Sequence, residues 1–131
     1  MSLQRRWYEE VWNQGRESAI DELAAPDVIA HGLKDADGNE VVGTEAFKVM
    51  FRAFRSALPD MHVEVQALIQ QGDLSAARLV VTATHTGEGL GIAATGKRVT
   101  FTGMAMGREK DGKLVEAWNN FDFATMYQQM Q

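Results

Sequence analysis

The chain of 131 residues contains no cysteine. Disulfides, thiolate metal sites and a cysteine nucleophile are excluded, and a cytoplasmic location is expected. Proline is almost as scarce, with only Pro26 and Pro59. Each should end a helix, because proline has no N–H to donate and disfavours the helical conformation of the residue before it. No apolar stretch approaches the roughly 18 residues of a membrane span, and the start, MSLQRRWYEE, has no apolar region ahead of its charges, so neither a span nor a secretion signal is expected. A dense Lys/Arg run is missing too. At a formal net charge of -5 the chain has no electrostatic footprint for nucleic acid or an anionic membrane surface. The three histidines lie in separate segments without HxH or HExxH spacing, so no metal site is expected. The glycines of GEGLGIAATGK fit neither nucleotide-binding pattern, and there is no GxSxG elbow.

What remains is an ordinary globular mixture, 45% hydrophobic and 24% charged, enough for one core and one domain spanning 1–131. Trp7, Tyr8, Val11 and Trp12 recur at helical spacing, and Asn13-Gln14-Gly15 supplies a stop. Ser18 to Ala25 reads as a second helix ended by Pro26-Asp27, and Val28 to His31 as a short strand. Thr44 opens a third helix whose Phe47, Met50, Phe51, Phe54 and Leu58 form one apolar stripe up to Pro59. From Met61 the period becomes two, with Met61, Val63, Val65, Ala67 and Ile69 facing one way. Two further strands, Ala76 to Thr86 and Arg98 to Arg108, flank a Gly-rich excursion, Gly87 to Gly96, that reads as a mobile lid or pocket rim. Asp111-Gly112 turns the chain into a last strand, Lys113 to Phe121. Phe123, Met126, Tyr127 and Met130 mark a closing helix, with Asp122 as its cap. The architecture implied is α+β, with helices packed on one face of a curved antiparallel sheet.

The segments WNQGRESAIDELAAPDVIAHG, FRSALPDMHVEV and THTGEGLGIAATGKRVTFTGM, followed by DGKLVEAWNNFD, resemble the SnoaL-like polyketide cyclases, within the nuclear-transport-factor-2-like superfamily of cystatin-like α+β cones. The resemblance implies a cone-shaped, strongly curved mixed or antiparallel sheet with the N-terminal helices on its concave face. It also implies cofactor-independent cyclase, isomerase or hydratase chemistry on a small polyketide-like or cyclic carbonyl compound, and a homodimer. In this family the last strand commonly reads Trp-Asp, with the Asp as general acid and base and a His opposite on the preceding strand. Here those positions are Asn119, after Trp118, and Ala105.

An amide has no proton-transfer pKa near neutrality, so Asn119 can hold a carbonyl but cannot abstract a proton. Strand alternation puts Asn119 with Val115, Ala117 and Phe121, and Ala105 with Val99, Phe101, Gly103 and Gly107, as the lining of an apolar cavity. His85 shares the inward parity of Leu79, Val81 and Ala83, and His31 matches a histidine frequent in the family. Either is a candidate proton carrier, since histidine titrates near neutrality, and either equally suits a structural hydrogen bond. Tyr8 is a candidate donor to a carbonyl, while Trp12 and Phe51 could stack on a ring or simply form core. Two readings of the cavity follow, beside a third in which the chain is a structural dimer that uses the sheet's mixed outer face. One is an enzyme using His31 or His85 for proton transfer, Asn119 for orientation, and Tyr8, Trp12, Phe51, Phe101, Ala105 and Phe121 for binding. The other is a non-catalytic binder of small apolar ligands that has lost the family's acid-base pair.

Overall fold

The computed structural model describes residues 2–131. Ser2 caps the first helix, its hydroxyl accepting from the Arg5 amide. Helix α1, Leu3–Arg6, runs on as a π-helical stretch, Trp7–Asn13, in which the Gln14 amide donates five residues back to the Glu9 carbonyl. This wider turn carries Trp7 and Trp12, five residues apart, onto one side, where both rings meet Phe47, at 5.0 and 6.0 Å between centroids. Helix α2 covers Ser18–Leu23 and α3 covers Thr44–Ala57, its buried face formed by Phe47, Met50 and Phe51. Helix α4, Phe123–Gln129, starts at Asp122, whose carboxylate accepts from the Thr125 amide.

The strands are β1 Ala24–Lys34, β2 Glu40–Val42, β3 His62–Gln71, β4 Leu74–Thr84, β5 Arg98–Lys110 and β6 Lys113–Phe121. They form one sheet in the order β2-β1-β6-β5-β4-β3, antiparallel except for the β1–β6 pair. The sheet is therefore mixed, with the helices on one face over a core that runs from Val11 and Ile20 through Phe51 to Leu79 and Phe101. No helix among the described residues is long and apolar enough to cross a membrane.

Three expectations are corrected. Pro26 does not end a helix; α2 stops at Leu23, and β1 runs through the proline. Pairing with β6 jumps there from Ala24 opposite Leu114 to Ile29 opposite Glu116, so the missing N–H falls where the ladder is already broken. In β3 the register slips between Val65 and Ala67, and one extra residue reverses the faces beyond it. Leu68 therefore packs on the core while Ile69 is 74% exposed, the opposite of strict alternation. A third slip, between Arg108 and Glu109, leaves Val115 as the extra residue of β6 and turns Leu114 inward in its place.

The first helix is tied to the free edge of the sheet by one side chain. Asn13 accepts from the Val63 amide at 2.7 Å and donates to the Val63 carbonyl at 3.0 Å, satisfying both groups of a β3 residue that has no strand on that side. Asn13→Ala should lower unfolding free energy by about 1–3 kcal/mol, because two partly buried backbone groups lose their partner. Urea denaturation of the two proteins checks this, and an unchanged midpoint would show that water replaces the amide at no cost.

Candidate functional site

Between α1, α3 and the concave face of the sheet lies a cavity whose wall is almost wholly apolar. Its volume is about 60 Å³. Aromatic rings dominate. Phe101, Phe121 and Phe123 pack tilted or edge-on at 5.8–6.4 Å, and Trp12 meets Phe54 edge-on at 6.2 Å. Phe121 takes its place because Gly103 lies opposite it: a Cβ at 103 would come within 2.2 Å of the ring. Leu33, Met50, Met61, Val63 and Val81 complete the outer wall.

The polar groups are few. Asn119 and Tyr8 both line this cavity and the smaller chamber that adjoins it. The Asn119 amide nitrogen donates to the His31 backbone carbonyl at 3.0 Å. A carbonyl accepts only, which fixes the amide nitrogen as the atom turned to β1, and the amide oxygen accepts from none of the described residues. Tyr8 is 5% exposed, and burial pushes its hydroxyl up to about 12 despite the neighbouring Gln4 amide, so it stays a neutral donor. Gln4 is fully engaged, donating to the Ala105 carbonyl at 3.1 Å and accepting from the Ser75 hydroxyl at 2.6 Å.

Of the other expected site residues, Trp12, Phe101 and Phe121 line the main cavity and Ala105 lines the inner chamber. Phe51 does not line either: it lies in the core with its ring 5.2 Å from that of Trp12. Trp7, Phe47, Phe54 and Phe123 line the wall as well, and Gln4 enters the inner chamber. The aromatic stripe signalled the first four, but nothing in the sequence distinguishes Gln4 from a solvated terminal residue.

Neither candidate histidine lines the cavity. The His31 side chain lies on the outer face of the sheet, stacked on Trp118 at 5.5 Å and held between two carboxylates. Its Nε2 donates to Glu116 at 2.6 Å and its Nδ1 to Glu40. The hydrogen bond to Glu116 chiefly, and Glu40 with it, raise its pKa above the usual value against partial desolvation. Arg108 lies 6.0 Å over the other partner of this stack, the Trp118 ring. His85 is fully buried at the end of β4, with Nδ1 3.0 Å from the Thr95 hydroxyl and Nε2 without a partner among the described residues.

The Gly-rich segment is fastened down and does not form the rim. A Cβ at Gly87 would lie 1.9 Å from the Ser56 carbonyl and one at Gly89 2.5 Å from that of Ala53, so the glycines let the loop lie directly on the last turns of α3. The Gly87 amide donates to the Ala57 carbonyl, and Leu90 and Ile92 pack on the core. Glu88 and His62 are exposed, away from the cavity.

Residues 2–130 match the family model of the SnoaL-like polyketide cyclases. No curated protein sequence matches the chain. Among solved structures it is similar to IdmH of Streptomyces antibioticus, a candidate polyketide cyclase, with 34% identity, coverage of 97% of this chain and 94% of that one, and a TM-score of 0.82. It is also similar to AclR of Streptomyces galilaeus, a candidate hydroxylase, at 28% identity, 98% and 86% coverage and a TM-score of 0.80. A candidate SnoaL-like polyketide cyclase from Jannaschia shares the fold at a TM-score of 0.85, with 19% identity over 98% of this chain and 88% of that one.

The His31 pairing gives a pH signature separate from any activity. A raised folded-state pKa makes the imidazolium's stabilisation complete below the unfolded value of about 6.5 and removes it as pH rises through the folded value. The stability of wild type relative to His31→Gln should therefore fall as pH is raised from about 6 to 9. Urea unfolding across that range checks it, and a constant difference would mean that the carboxylates do not hold the charged form.

Proposed function

The chain belongs to the SnoaL-like polyketide cyclase family, and from that premise we propose that it takes a small polyketide-derived carbonyl compound into the aromatic-walled cavity and favours its cyclisation or isomerisation by confinement and hydrogen bonding, without a cofactor. The observation that carries this is the pair Tyr8 and Asn119, the neutral hydroxyl and the oriented amide on an otherwise apolar wall. Both can donate to a carbonyl oxygen. As the substrate enolises, charge builds on that oxygen, and donors already in place in a water-poor cavity lower the cost of the developing enolate. The carbon-bound proton leaves to water or to another oxygen of the substrate, since no carboxylate or imidazole among the described residues lines the wall.

That last feature also supports a second reading, a binding protein without turnover. The two separate with linear poly-β-keto esters as substrates. On the catalytic reading turnover is nearly independent of pH between 6 and 8 and is unchanged in His31→Ala. It falls about 10²-fold in Asn119→Ala, the order seen when one oxyanion donor is removed. Asn119→Asp should instead introduce a rate that follows the titration of the new carboxyl. Ligand-dependent stabilisation without any product would establish the binder.

Self-association belongs to the same reading. Met104 and Met106 stand 57% and 37% exposed on β5, in register with Asn120 and Trp118 of β6, and form an apolar strip on the sheet face that no helix covers. A homodimer through this strip should shift to monomer in Met104→Lys, as measured by sedimentation equilibrium; a monomeric wild type would dismiss it.

A further inference from the structure

The cavity does not end at Asn119. A second chamber, of about 40 Å³, shares Trp7, Tyr8, Phe47 and Asn119 with the first, so these residues stand at the boundary, or waist, between the two. Beyond the waist the wall changes character, because most of the strand residues there are small, with Val28, Met106 and Leu114 the exceptions. Ala30 of β1 pairs with Ala117 of β6, which pairs with Gly107 of β5, giving one row of small residues across three strands. Ala105 lies next to that row, opposite Asn119, and Ala24 closes the end. The chamber exists because these positions are alanine and glycine.

Its chemistry is narrower than its lining suggests. Past Tyr8 and Asn119 at the waist, the polar side chain of the lining is Gln4, and both ends of its amide are already bonded, to Ala105 and Ser75. A polar group pushed into this space would lose water and find no partner there. An alkyl group would lose nothing and would gain contacts with the small side chains.

We propose that this chamber is a tail subsite: the ligand's carbonyl stands at the Tyr8–Asn119 waist, and a short unbranched alkyl terminus extends past it over the Ala30–Ala117–Gly107 row. This rests on the reading that the main cavity binds a carbonyl compound, and it narrows the ligand to one with an apolar, unbranched end. The bulky or functionalised part of the molecule then occupies the outer, aromatic chamber, which is open to solvent.

The experiment is titration of Trp fluorescence, Trp7 and Trp12 being in the wall, with 2-butanone, 2-hexanone, 2-octanone and 8-hydroxy-2-octanone. In wild type, affinity should rise about 4-fold per methylene, the value for burying one CH₂, until the chamber is full, and the terminal hydroxyl should lose at least about 10-fold against 2-octanone. Ala105→Leu, which fills the chamber, should flatten the length dependence. Gly107→Ala is the milder control, since its new methyl needs Leu114, 3.2 Å away, to shift only slightly, and it should shorten the series by about one methylene. A length dependence that survives in both variants, or a hydroxyl tail tolerated as well as a methyl, would overturn the tail subsite and leave the binding reading standing. If no ketone perturbs wild-type fluorescence, the binding reading fails and the subsite with it.

Discussion

The parallel pairing of β1 with β6 is the constraint on which the rest of the site depends. Those strands are far apart in sequence, and they meet where Gly32 takes a φ of +84° and its missing Cβ leaves room for the Asn119 carbonyl, which a side-chain carbon would approach to 1.9 Å. Only glycine combines that backbone conformation with that approach. The same contact lets the Asn119 side chain reach the His31 carbonyl, so one juncture closes the sheet, bends β1 and sets the orientation of the cavity's amide.

The register slips then distribute the side chains. Those in β3 and β6 each insert one residue and that in β1 three, and each decides which face the remainder of its strand presents. In β3 the slip turns Leu68 inward; in β6 it exchanges Val115 for Leu114 at the inner end of the cavity. In β1 the broken ladder accommodates Pro26, and the strand then carries Ala30 inward and the His31 side chain outward.

The outcome is a separation of chemistries. The cavity wall holds rings, small side chains, the amides of Asn119 and Gln4 and the Tyr8 phenol. The outer face holds the imidazole, its two carboxylates, Arg108 and Trp118. A group that could carry protons at neutral pH is thus present in the fold, yet the sheet stands between it and the cavity.

The sequence by itself determined most element types, the inward parity of Asn119, Ala105, Phe101 and Phe121, and the cap at Asp122, because each follows from local periodicity or from a side chain acting on its own backbone, while the quoted segments carried the resemblance to the family. The resemblance carried the further expectation that an amide, Asn119, and a methyl, Ala105, stand where the family's cyclases commonly have an acid-base pair. Tertiary structure alone decided that His31 faces outward, that His85 is sealed at the end of β4, that Phe51 stands behind Trp12 and that Gln4 is part of the inner chamber. The physical reason is that alternation counts residues within a strand and cannot see a bulge. Nor can it see which distant strand, helix end or carboxylate a side chain will meet once the sheet has curved.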